Sequence, residues 1–201
     1  MGLTAWVMAG CAVAVVGERW GVAWARPVGK VAASLGMVAA GVASGVPWLA
    51  LVALVAHLAG DVLLLSHRKA LFVAGMLAFL VGHVAYAGAF LASGVGAVAT
   101  LLAGGALAAC VAPAWRWLAP HTGRLRRPVA AYVAALAMMV ALAWGTGRLG
   151  LGVSATAFLL SDLLVARNRF VAPGWGNRAV GLPLYYAAQL GLIVGLASSP
   201  G

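Results

Sequence analysis

The stretch that decides the fold runs from His57 to Phe90 and reads HLAGDVLLLSHRKALFVAGMLAFLVGHVAYAGAF. Two apolar runs flank a short basic break at Arg68-Lys69, and each is long enough for a helix that crosses a bilayer. The first run holds a carboxylate, Asp61. A charged group at such a depth costs about 2.5–3.5 kcal/mol on insertion scales. The chain has only three acidic side chains, Glu18, Asp61 and Asp162. Glu18 falls at a helix end, whereas both aspartates fall inside apolar segments. A sequence this short of carboxylates that places two of them where they cost most points to their use.

The rest of the 201 residues follows the same pattern. Hydrophobic residues make up 65% of the chain, and the mean hydropathy is +1.05, which excludes an ordinary soluble domain. The apolar runs lack the alternation of barrel strands, and only helices or closed barrels satisfy their backbone in lipid. The expected fold is therefore all-α: a polytopic membrane bundle of eight transmembrane helices in a single integral-membrane domain over 1–201. The spans are read at 3–17, 27–44, 47–66, 70–92, 95–113, 128–146, 149–167 and 179–198. Turns are marked by Ser44-Gly45-Val46-Pro47, Ser93-Gly94 and Gly145-Thr146-Gly147. Gly60-Asp61-Val62-Leu63-Leu64 echoes Ser161-Asp162-Leu163-Leu164-Val165, so the chain reads as two parallel four-helix halves, about 1–94 and 95–201.

Of the 13 Lys and Arg residues, all but Arg148 lie beside the connections after spans one, three, five and seven. By the positive-inside rule these connections face the cytoplasm of a multi-pass cell-membrane protein, with both termini outside. The longest, Ala114 to Arg127, is expected as a loop along that interface, with Trp115 and Trp117 at headgroup level. The net charge of +10 suits anionic lipid headgroups better than nucleic acid, because it is spread over short loops. Cys11 and Cys110 lack metal-ligand spacing and read as small apolar residues. Met8-Ala9-Gly10-Cys11 resembles a lipoprotein cleavage box, but no basic region precedes it.

This topology puts Asp61 and Asp162 at matching depth, ~7–9 Å below the cytoplasmic interface by helical rise. His57 shares a helix face with Asp61 and reads as structural. His83 and Tyr86 share a face of span four, and His83 is too deep to reach Asp61 by the same measure. Tyr185, Tyr186 and Gln189 begin span eight at the depth of the aspartates, and Asn168 and Arg169 close span seven. Each has a plainer reading: an interhelical hydrogen bond, an interface anchor or a topology marker. No HxxxH, HExxH or GxSxG occurs, so neither a zinc site nor a serine relay is read from the sequence.

Three motifs in order resemble the YhhN-like lysoplasmalogenase family. They are Gly60-Asp61-Val62-Leu63-Leu64 with Gly75 to Leu80, His83 and Tyr86; Phe158 to Leu164 followed by Asn168-Arg169-Phe170; and Tyr185-Tyr186-Ala187-Ala188-Gln189. The resemblance covers roughly residues 20–197. The family's Lys-Pro at the start of span two appears here as Arg26-Pro27, with the charge kept. The resemblance implies a multipass hydrolase that cleaves the vinyl ether of a lysophospholipid to a fatty aldehyde and a glycerophospho-headgroup product, with no cofactor. It places catalysis on Asp61 and Asp162 and supporting roles on His83, Tyr86 and Gln189. Alternatives are a small transporter or proton-linked carrier built on the same aspartates, or a zinc-dependent lipid hydrolase. The charge split makes the first testable claim. Single cysteines at Ser199 and Thr122 should be labelled from outside and inside respectively, and the reverse pattern would overturn the topology.

Overall fold

A computed structural model of the chain describes residues 2–66 and 68–197. All regular structure in these residues is helical. It comprises α1 (Gly2–Arg19), α2 (Ala25–Ala43), α3 (Trp48–Leu63), α4 (Lys69–Ala92), α5 (Ala97–Leu118), α6 (Arg126–Gly145), α7 (Leu149–Ala166) and α8 (Trp175–Ala197). The eight helices fall where eight spans were expected. By length and composition, α4 to α8 are apolar enough to cross a membrane, α5 to α7 each with an adjoining short helical turn. The apolar α3 has 16 residues, and α1 and α2 carry charges toward one end (Glu18 and Arg19; Arg26 and Lys30). Ser199 and the last residue of the eighth expected span lie outside the described residues.

One expected loop is corrected. Between Ala114 and Arg127, α5 runs on through Pro113 to Leu118, and two 3-10 turns follow, Ala119–His121 and Gly123–Leu125. Pro113 removes one backbone donor. Ending the helix there would leave a whole turn of backbone groups unpaired in an apolar setting, a larger cost. Thr122 is buried and bonds back to the Ala119 carbonyl, so the exposed His121 is the better labelling position.

Seven helices close a ring in the order α1, α2, α3, α4, α6, α7, α8 and back to α1. α8 also touches α2, while α5 stands outside the ring against α6. Small residues allow the close approaches. A methyl group on Gly29 would fall 2.6 Å from the backbone nitrogen of Ala14, so α1 and α2 meet there backbone to backbone. The outward faces are apolar: Val98, Leu101 and Leu102 of α5 are each more than 70% exposed, as suits a lipid-facing surface.

The two ends of the bundle are distinct. At the basic end, α1 finishes where α8 begins. Trp175 Nε1 donates to the Val15 carbonyl at 3.2 Å, Arg178 pairs with Glu18 at 2.7 Å, and Arg19 lies over the Trp175 ring. At the opposite end, Gly96 N donates to the Gly145 carbonyl at 2.8 Å, and the Arg148 guanidinium donates to the Gly195 carbonyl. Two glycine turns sit there, with Gly94 at φ 83° and Gly147 at φ 70°, a conformation open to glycine at little cost. Exposed Trp20 and Trp24 at the basic end and Trp48 at the other resemble the aromatic belts of membrane proteins.

Candidate active site

Asp61 is 1% exposed and lies one helical turn after His57 on α3. α2 presents Arg26, Lys30 and Ser34 at four-residue spacing, which puts them along one face. Lys30 Nζ lies 2.8 Å from Asp61 Oδ1. Ser34 Oγ donates to Oδ2 at 2.6 Å, and Tyr185 OH of α8 donates to the same oxygen at 3.0 Å. Tyr186 OH lies 3.2 Å from Ser34 Oγ and donates to the Lys30 carbonyl at 3.0 Å, which fixes the turn that carries the lysine. Three donors therefore converge on the two oxygens of Asp61. Of the three, the Lys30 ammonium can only donate, whereas the two hydroxyls can also accept.

Asp162 is held differently. Tyr132 OH of α6 donates to its Oδ2 at 2.5 Å, and His83 Nε2 of α4 lies 3.3 Å from the same oxygen. His83 Nε2 is also 2.9 Å from the Tyr132 hydroxyl. The partners of Asp162 can each give or take a proton, and no ammonium or guanidinium pairs with it among the described residues. His83 thus bonds Asp162, which the helical-rise argument had placed level with Asp61, so depth alone does not decide its partner.

A packed aromatic layer links the two sets of partners, with Phe158 meeting Tyr185 at 5.2 Å and His83 at 5.0 Å. Tyr86 OH donates to Gln189 Oε1 at 2.5 Å, and Gln189 Nε2 meets His57 Nδ1 at 2.8 Å. An amide NH2 only donates, so His57 Nδ1 accepts and its ring proton sits on Nε2. The His57 ring packs against Phe79, Phe158 and His83 at centroid distances of 5.0, 5.1 and 5.2 Å. Any side chain on Gly82 would collide with it. His57 is accordingly a buried core histidine, as read from the sequence, but one tied into the polar layer. His83 and Tyr86, neighbours on one helix face, serve different partners.

Two cavities adjoin this layer. A polar one of about 380 Å³ has Glu18, Arg26 and Arg178 at the basic end and is lined deeper by Lys30, Asp61 and Asp162. An apolar one of about 220 Å³ lies among α4, α5, α6 and α7. They share Leu64, Phe72, Phe79, Tyr132, Asp162, Val165 and Arg169 as lining, so Asp162 stands where polar space meets apolar space. Arg169 belongs to a π-helical turn, Arg167–Val171, that ends α7, and its guanidinium lies 4.2 Å over the Phe72 ring centroid. Asn168 of the same turn also lines the polar cavity and accepts from Gly174 N at 2.9 Å and Arg178 Nη1 at 3.2 Å, which orders the link to α8. Among the described residues no group of three or more His, Cys, Asp and Glu stands close enough to hold a metal ion.

One family profile spans this whole layer. The profile described as the YhhN family matches residues 23–196. The chain belongs to the YhhN family. It is 34% identical over 154 residues to the lysoplasmalogenase TMEM86A of Bos taurus, covering 69% of this chain and 61% of that protein. To the human lysoplasmalogenase TMEM86A it is 33% identical over 156 residues, with the same coverage. To the lysoplasmalogenase of Mycobacterium bovis it is 35% identical over 130 residues, covering 58% of this chain and 46% of that protein. The chain therefore spans less than two thirds of the length of these relatives. No solved structure matches. The YhhN match starts after α1 and includes every residue that bonds either aspartate, whereas Glu18 lies before it.

Three partners escaped the sequence reading. Lys30 was counted as a loop charge, although it lies inside the expected span 27–44, and that position was the signal. It sits one turn beyond Arg26, where the family motif has its lysine. Ser34 and Tyr132 carried no signal beyond being polar in apolar helices. The ion pair makes the second testable claim. Removing one partner of a buried pair costs about 3–5 kcal/mol because the other charge is stranded. Lys30→Met should lower stability by that order in thermal unfolding of the micelle-bound protein, and adding Asp61→Asn should restore most of it. Additive losses would show that the two groups are not coupled.

Proposed function

We infer that the chain is a lysoplasmalogenase-type ether hydrolase. It sits in the cell membrane with both termini outside and its basic end toward the cytoplasm, and it cleaves the vinyl ether of a lysophospholipid to a fatty aldehyde and a glycerophospho-headgroup. The observation that carries this reading is the position of Asp162 at the junction of a polar cavity bearing Arg26, Arg169 and Arg178 and an apolar one. A phosphate in the first and a hydrocarbon in the second would bring the bond between them to the carboxyl. The names of the relatives support the same chemistry.

The two aspartates divide the work by their surroundings. Asp162 gives its proton to the vinyl carbon farther from oxygen, and the positive charge moves to the carbon bonded to oxygen. Asp61, kept as a carboxylate by Lys30, Ser34 and Tyr185, stabilises that oxocarbenium ion. This pairing of an acid and a carboxylate is the one glycosidases use for a similar cation. Water adds at the cationic carbon, and the proton it loses returns to the carboxyl pair. The hemiacetal then collapses: its hydroxyl proton leaves, the bond to the glycerol oxygen breaks, and that oxygen takes up a proton. One water is consumed, and aldehyde and alcohol are formed. Tyr132 and His83 orient Asp162, while Gln189 and Tyr86 hold the layer behind Tyr185.

Aldehyde release from an alkenyl lysophospholipid by the purified protein tests this directly. Asp61→Asn and Asp162→Asn should each lower kcat by about 10²–10⁴-fold, the usual contribution of acid–base groups, measured per folded protein because Asp61→Asn also strands Lys30. The acyl ester of the same chain and headgroup should be left intact, because ester cleavage calls for a nucleophile and an oxyanion hole. Ester cleavage at a comparable rate, or full activity in either variant, would contradict the reading.

A further inference from the structure

We propose that the apolar cavity behind α5 is the binding site for the substrate's hydrocarbon chain, and that the chain enters it sideways from the bilayer along α5. This rests on the hydrolase reading above and adds where the lipid tail lies. α5 stands outside the ring and packs chiefly on α6, and Leu118 is its one buried residue among the described residues. Yet Leu107, Cys110, Val111, Ala114 and Leu118 of α5 all line the cavity. Their spacing of three and four places them on one stripe. The cavity is thus closed on its outer side by a single helix whose other faces meet lipid. Cys110 both lines the cavity and is exposed, which marks an opening beside α5.

The occupant follows from continuity. This cavity presents almost entirely apolar surface, and its polar lining groups, Tyr132, Asp162 and Arg169, are shared with the polar cavity next to it. A hydrocarbon chain placed there remains attached to a headgroup in the basic cavity, with the connecting ether at Asp162. A chain of a bulk phospholipid has no such anchor. The rim at Cys110 then governs how much chain is accepted.

The test uses the wild-type protein in a bilayer and an alkyl-ether lysophospholipid, which has no double bond to protonate, carrying a diazirine at the end of its chain. Photolysis should place adducts on 107–118 of α5 and 129–136 of α6. Excess lysoplasmalogen should suppress them, and glycerophosphoethanolamine, which lacks a chain, should not. Adducts confined to α1, α2, α3 or α8, none of which walls the cavity, or equal and uncompeted labelling by a diazirine-bearing diacyl phospholipid, would overturn the proposal. In a second arm, Cys110→Trp should lower kcat/KM for a long alkenyl chain about tenfold more than for a short one, a difference within reach of an apolar pocket. Leu101→Trp, on the lipid-facing side of α5, should alter neither. An equal loss on both substrates would overturn it. Cross-links at α5 without aldehyde release would uphold the chain site and sink the hydrolase reading, whereas aldehyde release with cross-links elsewhere would do the reverse.

Discussion

A carboxylate shut inside an apolar bundle needs a cation, and Asp61 has Lys30 at 2.8 Å. Neither group is stable in that setting alone, so the pair holds α2 and α3 in register. Tyr185 and Ser34 complete the set from α8 and α2. Asp162 does the same for α4, α6 and α7 through His83 and Tyr132. Six of the seven ring helices are thus joined through two carboxyls. The seventh, α1, is held by glycine-mediated contact with α2 and by the Glu18–Arg178 pair to α8. α5 has no share in this polar layer and lies outside the ring.

The same constraint separates the two carboxyls chemically. Asp61 is held by an ammonium and two hydroxyls. Asp162 has partners that tolerate either protonation state and lies open to both cavities. Two like residues thus stand in different settings while lining the same polar cavity. Beyond the carboxyls, Arg26, Arg169 and Arg178 gather at the basic end and apolar side chains gather behind α5. A polar space and an apolar space thus meet at one carboxyl, Asp162.

Much of this was legible in the sequence, for one physical reason. Charges inside apolar spans are costly, so Asp61 and Asp162 stood out, and the basic residues between spans gave the alternation of the helices. Helical periodicity placed Tyr185 and Gln189 on one helix within reach of the same layer. What the sequence hid was tertiary. Lys30 looked like a topology charge until α3 came beside it, and Tyr132 drew no reading until Asp162 came beside it. Pro113 resembled a helix end because local propensity ignores the cost of unpaired backbone in lipid. The exclusion of α5 from the ring had no local signal, since its residues are as apolar as those of buried helices.

The central claim is that a carboxyl delivers a proton to carbon. Run in heavy water, with the aldehyde trapped as it forms and before its alpha hydrogens exchange, the reaction should place one deuterium on the carbon next to the aldehyde carbon. Aldehyde that forms without that deuterium would contradict the account.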